Sequence, residues 1–371
     1  MFLSLKTIKD ILIVFLLSAF TFLFFDFLFG KMILEKFYWK DEETFRESHA
    51  VYHHTLKKNF DGFGYFGGTK YRFCSNYSGF KDSCKNINEQ SKFYDVGFIG
   101  DSYTEGLGLT FEDTFVGIIS KKLGNIKIAN LGVTTYSPSI YFTKIKHLLN
   151  EGYQFKEIIV YIDISDIYDE AIRYKIKNGK VIKLDNEDNN KINYLENESN
   201  NDTSSNNFKN FLKNNFKFSY ENLHLLKMLI YRYLEKGTFT YVTDLKISSW
   251  TYDQSTEGYG KLGVDGGIKK SLDVMDELHK LLEKNGISLS IGIYPWPGQI
   301  FYDSENSLQV EIWENFCKLR CKKFYNNFPV FFDKVEKFGK IETYYKYFIY
   351  RDVHFNKNGN ELIAENFIKK Y

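Results

Sequence analysis

A serine, a histidine and an aspartate in this chain have the types and settings that nucleophilic acyl chemistry uses. Ser102 lies in YDVGFIGDSYTEG (94–106), where a short apolar run, 96–99, breaks at Gly100, Asp101 and Ser102. A hydroxyl at the end of a buried strand is a nucleophile when a base reaches it. Asp101 and Ser102 equally suit a plain turn that satisfies free backbone N–H groups, and the local sequence leaves both readings open. Of the seven histidines, His354 has the suggestive setting, RDVHFNKNG (351–359), two residues after Asp352. A carboxylate there can hold one ring nitrogen, fix the tautomer and steady the imidazolium, while the other nitrogen takes a serine proton. His53 and His54 are adjacent, a poor spacing for two ligands on one helix face. GFGYFGG (62–68) lacks the following Lys-Ser/Thr of a phosphate loop.

The elements that must carry these residues alternate between strand and helix. The run 96–99 reads as a strand, and Phe111, Phe115, Ile118, Ile119 and Leu123 follow at helical spacing. A second strand, 126–130, leads to a helix with Pro138 in its first turn. A third strand, 157–163, ends in an acidic turn of Asp163, Ser165, Asp166, Asp169 and Glu170. An amphipathic helix over 268–284 precedes a fourth strand, 287–294, which ends at PWPGQ (295–299). A helix over 305–325, a fifth strand at 328–333 and a last helix over 360–370 complete the pattern. The alternation predicts an α/β fold, a three-layer doubly wound sheet of about five parallel strands, with its chemistry at the strands' carboxyl ends. Residues 36–93 read as an irregular lead-in and 94–371 as the α/β domain. An insertion at about 171–265 would hold an edge strand (180–184), a polar tract (185–207) and a helical stretch (208–235).

The chain has 371 residues and a net charge of +2, with 49 basic and 47 acidic side chains. Nothing concentrates the basic charge that a nucleic-acid surface needs, so no nucleic-acid partner is expected. Residues 11–30, ILIVFLLSAFTFLFFDFLFG, form a 20-residue run with one charge, Asp26. As a helix it would span about 30 Å, a bilayer's hydrocarbon thickness. No small-residue cleavage site follows, so residues 1–35 are expected to be an uncleaved anchor in the inner membrane, with Asp26 near the headgroups. The bulk of the chain then lies outside the cytoplasm. Cys74 and Cys84 bracket a nine-residue loop suited to a local disulfide, whereas Cys317 and Cys321, at i, i+4, are expected to be two thiols on a helix face. No spacing suggests a metal site, and no cofactor is expected.

Read together, Gly100-Asp101-Ser102 after the first strand, Asn130-Leu131-Gly132 after the second, the acidic turn after the third and Asp352-Val353-His354 before the last helix resemble the signature blocks of the SGNH/GDSL hydrolase superfamily. The resemblance covers about 94–170 and 266–371. It implies an esterase-like serine mechanism in which Ser102 is the nucleophile, His354 the base and Asp352 the orienting acid. It also implies that the backbone N–H groups of Ser102 and Gly132 form part of the oxyanion hole. Ser165 stands where the superfamily has an asparagine donor; its hydroxyl can donate but is shorter, so either Ser165 or another group substitutes in the oxyanion hole or activity is weak. The Asp352-Val353-His354-Phe355-Asn356 block looks like the Asp-x-His-Trp-Asn block of the alginate-acetylation branch, with Phe for Trp. Those relatives are exported and move acetyl groups onto polysaccharide. The expected substrate is accordingly an acyl ester, small or on an envelope glycan, with envelope polysaccharide machinery as a partner. Hydrolase, O-acetyltransferase and a degenerate glycan-binding domain share these residues. Asp101, Tyr103, Asp166, Trp296 and Gln299, at the same rim, are expected to contact substrate, Trp296 by stacking on a sugar or else by packing into the core.

Overall fold

The structure is a computed structural model that describes residues 5–30, 45–67, 69–184, 240–243 and 245–371, with scattered positions between 211 and 226. The polar tract 185–207, most of the helical stretch 208–235 and residues 36–44 of the lead-in lie outside the described residues. The chain divides into two compact units, one of Met1–Glu42 with Asp185–Thr238 and one of Glu43–Leu184 with Phe239–Tyr371. In the first unit, α1 (Leu5–Phe27) overlaps the one described segment, Lys9–Gly30, that is long and apolar enough to cross a membrane. Asp26 near its end is buried and accepts the Ser219 N–H at 2.8 Å.

The second unit holds the sheet. Two antiparallel hairpins come first, β1 (Arg46–His49) with β2 (His53–Leu56), and β3 (Asp61–Phe66) with β4 (Thr69–Cys74). Five parallel strands follow: β5 (Phe93–Ile99), β6 (Ile128–Asn130), β7 (Gln154–Ile162), β10 (Ser288–Ile293) and β11 (Lys323–Asn326). Their spatial order is β6-β5-β7-β10-β11. Numbered along the chain that is 2-1-3-4-5, so the order reverses between β5 and β7, and the crevice outside those carboxyl ends is where such sheets place ligands. β7 is central and buried over Glu157–Ile162, as a strand covered on both faces must be.

Helices cover both faces. α2 (Ser102–Glu105), α3 (Phe115–Leu123), α4 (Pro138–Asn150) and α5 (Asp166–Ile172) alternate with the first strands. α6 (Gly263–Lys284) packs on α4 and α5, and α11 (Lys357–Lys370) packs on α3. α7 (Pro297–Tyr302), α8 (Leu308–Cys317), α9 (Phe328–Phe338) and α10 (Lys340–Tyr347) lie between α6 and α11 in the chain.

Several expectations are corrected. The fifth strand is Lys323–Asn326, and 328–333 begins α9. A short apolar run does not by itself separate strand from helix. Here Pro329 supplies the fixed φ of a helix's first turn, and Phe328 and Phe331 are buried three apart. The helix expected over 305–325 is only Leu308–Cys317, which leaves Cys321 outside it. The two cysteines, 4.6 Å apart at Cα, form a disulfide rather than a thiol pair, as do Cys74 and Cys84. The edge strand expected at 180–184 is β9 (Lys180–Lys183), which pairs with β8 (Tyr174–Lys177) in a hairpin of its own and not with the main sheet.

Candidate active site

β5 ends at Ile99, and the chain turns through Gly100 into α2. The turn is too tight for a side chain at 100, because a Cβ there would meet Tyr161 O at 2.7 Å and the Thr104 hydroxyl. Asp101 caps the helix, its Oδ1 accepting the Tyr103 N–H at 3.0 Å, and Ser102 becomes the first helical residue. Gly106, at φ 75°, ends the turn of helix in the left-handed conformation that glycine adopts without strain.

The partner loop lies between α10 and α11. Tyr344 holds it from below, accepting the Asp352 N–H at 3.1 Å and lying 3.1 Å from Ile349 O. Tyr103 donates its hydroxyl to Val353 O, tying this loop to α2. Asn356 caps α11 by accepting the Gly359 N–H and donates to Phe348 O at 2.9 Å. Phe355, in the place of the expected tryptophan, is buried and stacks on Phe331 at 5.0 Å. These anchors aim His354 at α2. Its Nδ1 lies 2.5 Å from Asp352 Oδ1, and its Nε2 lies 2.7 Å from Ser102 Oγ. An ionised carboxylate only accepts, which puts the ring proton on Nδ1 and leaves Nε2 to accept from the serine. Burial opposes ionisation of Asp352, but the charge and hydrogen bonds of His354 outweigh it and hold the carboxyl below its usual range.

The expected oxyanion donors fare differently. The Ser102 N–H, at the start of α2, has no hydrogen-bond partner among the described residues. The Gly132 N–H instead donates to Asn130 Oδ1 at 3.1 Å, and Asn130 Nδ2 donates to Thr104 O at 2.8 Å, so the amide is spent on closing its own turn. A Cβ at 132 would fall 2.7 Å from Glu105 N, so glycine is there for close packing against α2. Ser165 is corrected in the same way. Its hydroxyl and N–H both donate to Asp163 Oδ1, at 2.6 and 2.7 Å.

The five residues expected to touch substrate are all buried, between 0% and 5% exposed. Trp296 is no stacking platform, because its ring lies beside Tyr103 and its indole N–H donates to Asp163 Oδ2 at 2.6 Å. Gln299 accepts the Trp296 N–H and donates to Gln309 Oε1, bracing the 295–299 turn. Tyr103 stacks on Tyr294 and tilts against the His354 ring. Asp166 accepts from the Tyr141 hydroxyl at 2.9 Å and from the Asp163 N–H. Asp101 lies beneath Ser102, with Oδ2 3.2 Å from Oγ.

No family model matches the chain, and no curated protein matches it. Among solved structures, it is similar to the crystal structure of a member of the lipolytic protein G-D-S-L family from Veillonella parvula DSM 2008, at 12% identity and a TM-score of 0.38, over 74% of this chain and 97% of that one. At that score the likeness carries no assignment of residues or substrate.

Sequence reasoning missed three neighbours. Asp163, at the carboxyl end of β7, gathers the Trp296, Tyr294 and Ser165 donors, and its place across the switch point from Ser102 was the available signal. Tyr294 closes β10 and reaches both Asp101 and Asp163. Phe66, in the GFGYFGG stretch, ends β3 and meets the His354 ring edge-on at 5.3 Å. Nothing local foretold that a hairpin 288 positions away would cover the histidine. Burial raises the Asp101 and Asp166 carboxyls well above the usual range, and neighbouring carboxylates add to it; burial also raises Asp163.

Proposed function

We propose that this chain is a serine esterase of the SGNH type that acts on acyl esters, with O-acetyl groups of a cell-envelope glycan as its substrate. One observation carries this reading: the continuous path from Asp352 through His354 to Ser102, with contacts of 2.5 and 2.7 Å. His354 Nε2 takes the Ser102 proton as Oγ attacks the ester carbonyl. The negative charge develops on the carbonyl oxygen, toward the Ser102 N–H at the start of α2. The protonated His354 then gives its proton to the leaving alcohol, and an acyl-Ser102 ester remains. A second hydroxyl, from water or a sugar, loses its proton to His354, attacks the acyl carbon and frees Ser102.

The envelope setting is supported by two closed disulfides, which suit an oxidising compartment, and by the apolar N-terminal helix, which suits an anchor with the α/β unit outside the cytoplasm. The glycan assignment rests on the Asp352-to-Asn356 block and its resemblance to the polysaccharide-acetylating branch. The test is turnover of p-nitrophenyl acetate by the wild type beside Ser102→Ala and His354→Ala. Turnover that both variants lose supports the serine mechanism. Adding an unacetylated glycan acceptor then separates transfer from hydrolysis. A folded protein with no turnover, whose Ser102 resists a serine-reactive phosphonate, leaves the glycan-binding domain as the better reading.

A further inference from the structure

Ser102 Oγ has two oxygen- or nitrogen-bearing neighbours that would take its proton, His354 Nε2 at 2.7 Å and Asp101 Oδ2 at 3.2 Å. A hydroxyl has one proton to give. Asp352 fixes the histidine proton on Nδ1, so Nε2 is an acceptor and the Ser102 proton goes there. An ionised Asp101 would then set Oδ2 against the lone pairs of Oγ with no proton between them.

The same count applies one step away. The Tyr294 hydroxyl lies 3.2 Å from Asp101 Oδ1 and 3.2 Å from Asp163 Oδ2, and it too has a single proton. Asp163 has three other donors: the Ser165 N–H and hydroxyl on Oδ1, and the Trp296 indole on Oδ2. That supply suits a buried carboxylate, which is stable only when its lone pairs are satisfied. Asp101 has the Tyr103 N–H alone besides the shared hydroxyls. Two carboxyls joined through one phenol, both almost wholly buried, hold one charge more cheaply than two.

We infer that Asp101 is held protonated and donates a hydrogen bond from Oδ2 to Ser102 Oγ, while Asp163 carries the charge of the pair. Burial and the adjacent Asp163 push Asp101 in the same direction. The groups facing it are Ser102 and Tyr103 of α2, Asp163 at the end of β7, Tyr294 at the end of β10 and, farther off, Asp166 of α5. The donor serves the nucleophile twice. It fixes Oγ with a lone pair free for the ester carbon, and it steadies the negative charge on Oγ when the acyl-enzyme breaks and the Oγ–acyl bond is cleaved. The second role rests on the esterase reading, whereas the protonation itself does not.

The experiment is infrared difference spectroscopy of the full chain at neutral pH, with carbon-13 aspartate to mark aspartic bands. The expected result is a protonated-carboxyl carbonyl band in the wild type that shifts with the label, is lost in Asp101→Asn and survives in Asp163→Asn. Absence of any labelled protonated-carboxyl band in the wild type overturns the inference, even if the variants fail to fold. So does a band lost in Asp163→Asn and kept in Asp101→Asn. Ester turnover adds the second readout: Asp101→Ala lowers kcat by roughly 10²–10³-fold with little change in KM, as for loss of a donor at a reacting oxygen, and Asp101→Asn, which keeps a donor there, recovers most of it. Equal losses in both variants overturn the donor role. If the band that Asp101→Asn removes is present but the wild type turns over no ester, the protonated Asp101 stands and the esterase reading falls.

Discussion

His354 Nε2 lies 2.7 Å from Ser102 Oγ, although 252 positions separate the two residues in the chain. The contact exists because β5 and the loop before α11 end at the same edge of the sheet. Ser102→Ala and His354→Ala are each expected to reduce ester turnover to background while leaving the fold intact, since neither side chain fills the core. Asp352→Asn keeps the shape but favours the wrong tautomer, and is expected to lower kcat by roughly 10⁴-fold. Steady-state kinetics on p-nitrophenyl acetate, with circular dichroism as the folding control, checks all three. A Ser102→Ala variant that retains turnover would sink the mechanism.

Glu105 closes α2, and Arg46 of β1 grips it with two hydrogen bonds, at 2.6 and 2.8 Å. The Arg46 side chain is 11% exposed and that of Glu105 is fully buried. Burial, the largest influence, would raise the Glu105 carboxyl, but the Arg46 charge and hydrogen bonds, the Lys81 charge and the Thr134 N–H together outweigh it and hold the group below its usual range. Removing one member of a buried pair strands the other charge, so Arg46→Ala is expected to cost about 3–5 kcal/mol. Joint replacement, Arg46→Met with Glu105→Leu, is expected to recover part of that loss. Urea denaturation of the three proteins measures it. A single variant within about 0.5 kcal/mol of wild type would show that the pair is not buried in solution.

The Ser102–His354 relationship was legible because each half is a local signal, a strand that breaks at Gly100 and an Asp-x-His before a helix. The parallel sheet was legible from the nearly continuous apolar run of β7 and from the shorter runs of β5 and β10, each followed by a helical pattern. Facing was not legible. Trp296, Gln299 and Asp166 are polar or amphipathic residues at the carboxyl ends of strands, and nothing in residue type says whether such a side chain turns to the crevice or inward. All three turn inward, because Asp163 and the 295–299 turn need their donors and acceptors. Ser165 misled for a related reason, since position in a block says nothing of which acceptor lies nearest. The fifth strand was misplaced because 328–333 is apolar enough for either structure, whereas Lys323–Asn326, the real strand at the sheet edge, carries little apolar pattern.

Lys144 of α4 is 1% exposed, its Nζ donating to Leu131 O at 2.9 Å. Burial lowers its pKa from the usual 10.5 to about 7, and Glu105 offsets only part of this. The sign follows from proton counting. Between about 7 and 10.5 the unfolded chain binds this proton and the folded chain does not, so stability rises with pH across that window. Below about 7 both states are protonated, and the penalty is constant. Lys81, lowered to about 7 by burial, acts in the same direction. The urea midpoint of the wild type is therefore expected to rise between pH 7 and pH 9, and Lys144→Met to flatten that slope. An unchanged slope in the variant would place the titration elsewhere.

Ser165 separates the reading from sequence position from the reading from contacts. If its hydroxyl replaced the asparagine donor of the oxyanion hole, Ser165→Ala would cost roughly 10²–10³-fold in kcat. In the structure that hydroxyl donates to Asp163 Oδ1 at 2.6 Å, beside the Ser165 N–H on the same oxygen. The substitution then removes one of several donors to a buried carboxylate. The expected result is a loss of stability of about 1–3 kcal/mol, with kcat changed by less than about tenfold. Asp163 keeps the Trp296 indole and the Ser165 amide in the variant, so the carboxylate stays charged and the Tyr294 bridge to Asp101 survives. Thermal unfolding and ester kinetics on the same preparation decide between the two. A large fall in kcat at unchanged melting temperature would return Ser165 to the oxyanion hole and require the Ser165–Asp163 contact to break when substrate binds.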